Sequence, residues 1–270
     1  MQTIELQPVS LPSEPGGTDI LVYYADFGLP YREHIERLAA SARRILPEAR
    51  LVLLTPTPDK VPDVFDATVV MDAMPPGEKL MLYRIWAQIC WLVATNRKTI
   101  VCDVDLEFLR KPVFDGSFDI GLLWRTNKPD QPINTGLTLV GPGQRRFWEH
   151  QARVAANLPL ICHSWWADQL SLCLMTGICH KAGDMLDIDG SRVRLFDASE
   201  CCDVAKDIKE NAWALHYKGA RKGGWFKDIY ESGRTPSDGT SLPASALSMG
   251  IAPVPNSASP PAALPYFSAG

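Results

Sequence analysis

From Asp19 to Cys102 short apolar runs alternate with segments of helical periodicity, and few folds accept that order. Asp19 to Ala25 reads as a buried strand, and Tyr31 to Leu46 as a helix with Ile35, Leu38, Ala39, Ala42 and Leu46 along one face. Arg50 to Thr55 and Thr68 to Met71 are further strands. Glu78 to Thr95 is a helix whose apolar face is broad enough to lie deep against a sheet, and Thr99 to Cys102 follows as another strand. A β-α-β-α-β opening of this kind predicts an α/β sandwich around a mainly parallel central sheet.

The second half is less regular. Asp119 to Trp124 and Leu137 to Val140 read as strands, Gln144 to Asn157 and Trp165 to Met175 as helices, and Trp213 to His216 as a last strand before a Gly-rich stretch, Gly219 to Gly224. Gln7 to Gly17 and Ser232 to Gly270 are rich in Pro, Ser, Ala and Gly with little apolar periodicity. The expected organisation is therefore a flexible segment over 1–18, one catalytic domain over 19–231 and a disordered tail over 232–270. No internal repeat is found.

Composition narrows the function. With 46% hydrophobic residues in 270, the chain can bury an ordinary core, and its formal net charge of -4 offers no basic balance for a nucleic-acid backbone. Nucleic acid is excluded as an expected partner. The seven cysteines are odd in number and include no Cys-x-x-Cys pair, which reads as reduced core thiols. The first residues have neither the basic start nor the apolar region of a secretory signal, so a cytoplasmic location is expected, with peripheral membrane attachment left open. Ile85 to Ala94 falls short of the roughly 20 apolar residues a spanning helix needs, so no transmembrane segment is expected.

The chemistry concentrates behind Thr99-Ile100-Val101-Cys102, where Asp103-Val104-Asp105 leaves the end of a buried strand. Strand alternation points Asp103 and Asp105 the same way and turns Val104 toward the core. Two hard oxygen ligands at one spot suit Mn²⁺ or Mg²⁺, ions that complete their shells with water and phosphate oxygens. Asp-x-Asp is common by chance: Asp187-Ile188-Asp189, ahead of Gly190, reads as a turn. Strand context separates the two, because ligands of open α/β sheets bind outside the carboxyl ends of the strands. His216 also leaves an apolar strand, and a neutral imidazole can join two carboxylates around a divalent ion. Beyond it, Gly219 permits close backbone approach and Lys222 supplies a cation for a phosphate.

Several segments agree, in order, with one known family: Ala25-Asp26-Phe27-Gly28-Leu29-Pro30-Tyr31, Tyr83-Arg84, Asp103 with Asp105, Asn134-Thr135-Gly136, Asp168-Gln169, and His216 with Gly219, Lys222 and Trp225. The chain resembles metal-dependent nucleotide-sugar glycosyltransferases of the GT-A fold, and is most similar to glycosyltransferase family 8, over about Asp19 to Trp225. The resemblance departs at two points: the opening motif is one residue short, and the family's Lys-Pro-Trp is replaced by Lys222-Gly223-Gly224-Trp225.

The resemblance implies a mixed, mainly parallel central sheet flanked by helices. It also implies transfer of a hexose from a nucleotide diphosphate donor, a UDP-sugar, to an acceptor hydroxyl with retention of configuration. Metal ligation then falls to Asp103, Asp105 and His216, with Mn²⁺ or Mg²⁺ as cofactor. Donor contacts fall to Ala25, Asp26, Arg84, Asp103, Val104, Asn134, Gly219 and Lys222, with Asp26 facing the base, and support of the reacting sugar to Asp168 and Gln169. Plainer roles stand beside these: Asn134 capping a turn, Arg84 pairing with Glu78 or Asp103, and Asp168 favouring a helix start. Trp124, Trp165, Trp166 and Trp225 are rim candidates for a sugar pocket, whereas Trp86, Trp91 and Trp148 read as core. A sugar-phosphate nucleotidyltransferase is the alternative enzyme, although Ala25 to Tyr31 has only Gly28 where a triphosphate cradle needs more. A non-catalytic nucleotide-sugar or carbohydrate-binding module is the alternative outside enzymes.

Overall fold

Strand β1 (Thr18–Tyr23) is buried on both faces and lies at the centre of the architecture, as a parallel strand with layers above and below it should. The computed structural model describes residues 17–26, 31–71, 74–201 and 211–217. Expectations placed on Phe27 to Pro30, Gly219, Lys222, Trp225 and most of both terminal segments lie outside the described residues.

After β1 come α1 (Arg32–Ile45), β2 (Arg50–Thr55), β3 (Ala67–Val70), α2 (Leu80–Thr95) and β4 (Lys98–Cys102). The chain continues through β5 (Leu106–Phe108), β6 (Ile120–Trp124), β7 (Ile133–Val140), α3 (Arg145–Ala156), α4 (Leu160–His163) and α5 (Ala167–Thr176). It then forms β8 (Met185–Ile188), β9 (Ser191–Asp197), α6 (Ala198–Cys201) and β10 (Ala214–His216). Eight strands make one sheet in the order β3-β2-β1-β4-β7-β6-β9-β8, and β10 pairs with β5 in a small second sheet. Neighbours from β3 to β4 are parallel, β7 runs against both β4 and β6, β9 is parallel to β6, and β8 is antiparallel to β9.

Alternation along the strands builds two cores. Leu21 and Tyr23 of β1 pack with Val101 of β4 against α2, α3 and α5. Ile20 and Val22 face the other way with Ile100 and Cys102, meeting Ile35, Leu38, Ala39 and Ala42 of α1 and the small sheet. The expected mixed, mainly parallel sheet between helices is thus present, with β7 and β8 as the reversed strands.

Several boundaries differ from the sequence reading. Strand β7 begins at Ile133, ahead of the expected Leu137, because Asn134-Thr135-Gly136 continues the sheet. The pair Asp187 and Asp189 splits: Asp187 lies in β8, while Asp189 and Gly190 form the two-residue hairpin turn to β9 at φ 55° and 80°. Positive φ at both positions is the type I′ arrangement that suits Asp-Gly. Strand β9, whose Val193 and Leu195 alternate inward between Arg192 and Arg194, went unread although its period of two was visible. Trp124, expected at a pocket rim, is instead 3% exposed in the core. The cysteines among the described residues are free, with Cys102, Cys162 and Cys173 buried.

At the amino edge of β1, Asp19 is fully buried and paired by two cations: Arg50 Nη2 at 3.0 Å and Arg97 Nε at 3.2 Å. Removing the shared acid takes from both guanidinium groups, which are mostly buried, the carboxylate that they hold in common. Asp19→Ala is expected to cost about 3–5 kcal/mol, read as a lower urea midpoint with an unchanged slope.

Candidate metal and donor site

From β1 the chain builds β2 and β3 on one side and returns to place β4 on the other, so the carboxyl ends of β1 and β4 flank the topological switch point. Crevices of open α/β sheets form there. Ala25 and Asp26 follow β1, and Asp103, Val104 and Asp105 follow β4. Asp26 is anchored locally: its N–H donates to the Thr57 hydroxyl at 3.1 Å, and the Tyr24 hydroxyl donates to its Oδ1 at 3.3 Å. Val104 continues the alternation into the α1-side core, as its position between the acids requires.

Asp103 falls on the Val101 face, toward α2, and there meets Arg84, whose Nη2 lies 2.5 Å from Oδ1. Its other oxygen, Oδ2, lies 3.3 Å from Nε2 of His216, and the same nitrogen is 3.1 Å from Oδ1 of Asp105. His216 arrives from more than a hundred residues away because β10 pairs antiparallel with β5, in register with Leu106 just past the acids. One ligand atom from each of Asp103, Asp105 and His216 can be chosen so that all lie within 4.8 Å of one another. Two carboxylate oxygens and one imidazole nitrogen form a donor set that fits Mn²⁺ or Mg²⁺.

Charge around the cluster is tightly set. Burial works against ionisation of Asp103, but Arg84 and His216 outweigh it and hold the carboxyl well below the usual carboxylate range. Burial likewise opposes the charge on Arg84, and Asp103 and Asp168 outweigh it, raising the guanidinium. Of the plainer roles considered for Arg84, pairing with Asp103 is the one observed. Its Nη1 also lies 3.8 Å from Oδ2 of Asp168, so one buried cation bridges the metal acids and α5.

The Asn134-Thr135-Gly136 segment lies where β7 slips against β6, the pairing jumping from Thr138 opposite Leu122 to Asn134 opposite Leu123. Irregularities of this kind re-aim side chains beside sites. Asn134 Oδ1 accepts the Gly136 N–H at 2.7 Å, which is the turn-closing role, while its buried Nδ2 finds no partner among the described residues. Gly136 matters by close approach: a Cβ there would stand 2.5 Å from Cε1 and 2.6 Å from Nδ1 of His216. Gly136→Ala must therefore displace the imidazole or the strand that carries it, and so disturb the ligand geometry at Nε2. We expect Mn²⁺ affinity to fall by about 10- to 100-fold, the usual effect of disturbing the support of a ligand, measured by metal titration.

Asp168, in the first turn of α5, is buried and fully engaged. Its Oδ2 accepts the Thr135 hydroxyl at 2.6 Å and its Oδ1 accepts the Gln169 N–H at 2.8 Å. Gln169 is half-buried, and its Oε1 accepts from Nη2 of Arg125 at 2.9 Å. Thr135 and Arg125 were not anticipated as site residues. The available signal was an Arg directly behind the apolar strand Ile120–Trp124, at the same edge of the sheet as the acids. Among the predicted site residues, the structure gathers Asp103, Asp105 and His216, joins Arg84 and Asp168 to them, and sets Gln169 beside Asp168. Ala25 and Asp26 stand on the β1 side of the same sheet edge. Among the described residues no helix is long and apolar enough to cross a membrane.

No family model matches the sequence, and no curated protein matches it either. Among solved structures, a glycosyltransferase involved in the glycosylation of the major capsid of PBCV-1 is similar over 77% of this chain and 96% of its own, with a TM-score of 0.50 at 14% identity. At that identity the likeness concerns architecture. The chain thus has the fold of a glycosyltransferase, and its own two aspartates and histidine gather into a candidate metal site at the carboxyl edge of that fold's sheet.

Proposed function

We propose that this chain is a metal-dependent glycosyltransferase that moves a hexose from a UDP-sugar to an acceptor hydroxyl with retention of configuration, a cytoplasmic enzyme most like family 8. The observation that carries the reading is the convergence of Asp103, Asp105 and His216 at the switch point of a sheet shared with a glycosyltransferase. Stereochemistry, hexose and uracil come from the motif resemblance over about Asp19 to Trp225, and the reading takes 19–231 as one catalytic domain.

Asp103, Asp105 and His216 would hold Mn²⁺ or Mg²⁺, which when bound neutralises negative charge collecting on the departing diphosphate. Arg84 keeps Asp103 ionised and holds one of its oxygens, leaving the other turned toward His216 and the metal position. Asp26 receives the base, and the main chain at Val104, whose side chain is buried, remains for the donor. The Nδ2 of Asn134, without a partner among the described residues, suits an oxygen of the donor. Asp168 and Gln169 flank the sugar, and Gly219 and Lys222 are assigned to the diphosphate by the motif that starts at His216.

A panel of UDP-, GDP- and TDP-sugars with Mn²⁺ tests the reading, with nucleoside diphosphate release as the signal. Release from a UDP-hexose that disappears on chelation is expected. Pyrophosphate release from a nucleoside triphosphate and a sugar phosphate, or binding of every donor without turnover in the presence of varied acceptors, would overturn it.

A further inference from the structure

Arg125 follows β6 directly, its N–H donating to Pro132 O at 2.6 Å, so the loop from β6 to β7 is closed at its base. Its side chain is buried. Nη2 lies 2.5 Å from Gln131 O, 2.9 Å from Ile133 O and 2.9 Å from Gln169 Oε1. Each of these three partners is an oxygen. A guanidinium has only hydrogens to give, so the Gln169 amide must turn its carbonyl toward Arg125; the reverse orientation would set donor against donor. The amide nitrogen is then the end left for a ligand.

The residue beside it is equally committed. Both carboxylate oxygens of Asp168 accept hydrogen bonds, from the Thr135 hydroxyl and from the Gln169 N–H. The Asp168 backbone carbonyl accepts from the Ser171 hydroxyl at 3.0 Å and from Nε2 of Gln151 at 3.4 Å. The first turn of α5 is therefore held from its side chains and its main chain at once, which fixes the backbone from which Gln169 projects and leaves the turn of its amide to the Arg125 contact.

We propose that Arg125 is a positioning residue that fixes the polarity of Gln169, so that Gln169 meets a hydroxyl oxygen of the donor sugar as a hydrogen-bond donor and does not offer an oxygen to the reaction. The proposal rests on the glycosyl-transfer reading and adds to it a residue outside the recognised motifs and a direction for one contact.

Gln169→Glu decides between the two polarities. Glutamate keeps an oxygen toward Arg125 and gains an ion pair, but it has no N–H for the sugar. We expect its unfolding temperature to match or exceed that of the unaltered chain, while kcat for UDP release from the active UDP-hexose falls by about 10²-fold, the scale of losing one aimed donor. Were the oxygen the working atom, Gln169→Glu would keep or raise kcat, and that result overturns the proposal. Arg125→Met should lower kcat about 10-fold with a smaller change in KM, since the amide is still present but free to turn. Arg125→Lys, which restores a donor toward Oε1, should recover part of the loss, whereas a merely structural cation would leave the ratio of kcat to KM unaltered in both Arg125 variants.

If the unaltered chain releases no nucleoside diphosphate from any donor, the glycosyl-transfer reading fails, and thermal unfolding still tests the contact. Gln169→Glu should be stabilising or neutral with Arg125 present and lower the unfolding temperature by about 2 °C or more in the Arg125→Met background. Equal changes in both backgrounds overturn the assigned amide orientation.

Discussion

Asp105→Asn is expected to abolish Mn²⁺-dependent turnover, by about 10³-fold or more, while near-UV circular dichroism stays unchanged. The substitution is nearly isosteric, and its amide can still contact Nε2 of His216, 3.1 Å from the present carboxylate oxygen. What it removes is one of two negative charges in the candidate cluster. A bound divalent ion supplies several kcal/mol of charge stabilisation to a departing diphosphate, and each 1.4 kcal/mol is a tenfold rate. The loss should appear first in metal titration, with weaker Mn²⁺ binding, and then in nucleoside diphosphate release at saturating donor. Full activity in this variant would remove Asp105 from the metal site and with it the main physical support for the proposed reaction.

Arg84→Met is expected to destabilise the fold strongly, on the same scale as loss of the Asp19 acid. The guanidinium is buried between Asp103, at 2.5 Å, and Asp168, at 3.8 Å, and methionine keeps the apolar stem while deleting the charge. Breaking a buried pair by removing one partner costs about 3–5 kcal/mol, because the remaining charge has lost its compensation. For a domain of this size that is a fall of roughly 10 °C in unfolding temperature.

The loss should depend on pH in a definite direction. In the unaltered chain the Asp103 carboxyl is held low, so its contribution to stability is complete above the unfolded value of about 3.9 and disappears as pH falls toward the folded value. Without Arg84, burial acts on Asp103 with less opposition, and the carboxyl is driven upward. The gap between the two proteins should therefore be widest near pH 7 and shrink below about pH 4, in unfolding curves measured with chelator present. A gap independent of pH would mean that the methionine variant lost packing alone.

Much of the architecture is legible in the chain because burial has a period. Helix α1 and strand β2 fall within a residue of the reading made from spacing alone, since each carries a continuous apolar face or run. Strand β5 escaped because three residues are too few to establish alternation. Helix α4, four residues long with Leu160 and Ile161 exposed, breaks the rule that apolar residues mark the inside. The early part of β7 was missed for another reason: Asn134, Thr135 and Gly136 have turn chemistry, and they stay at the sheet through Asn134 opposite Leu123 of β6 and the Asp103 N–H donated to Gly136 O at 3.0 Å.

By itself, the sequence determined the alternation of strands and helices and the exit of Asp103 and Asp105 from a strand end, because both follow from local periods in the chain. Tertiary structure alone decided that β10 carries His216 to the acids, that Gly136 leaves room for the ring, and that Arg84 and Arg125 face Asp103 and Gln169. These are contacts between segments far apart in the chain, set by which strands pair and which helices cover them, and no local spacing encodes them.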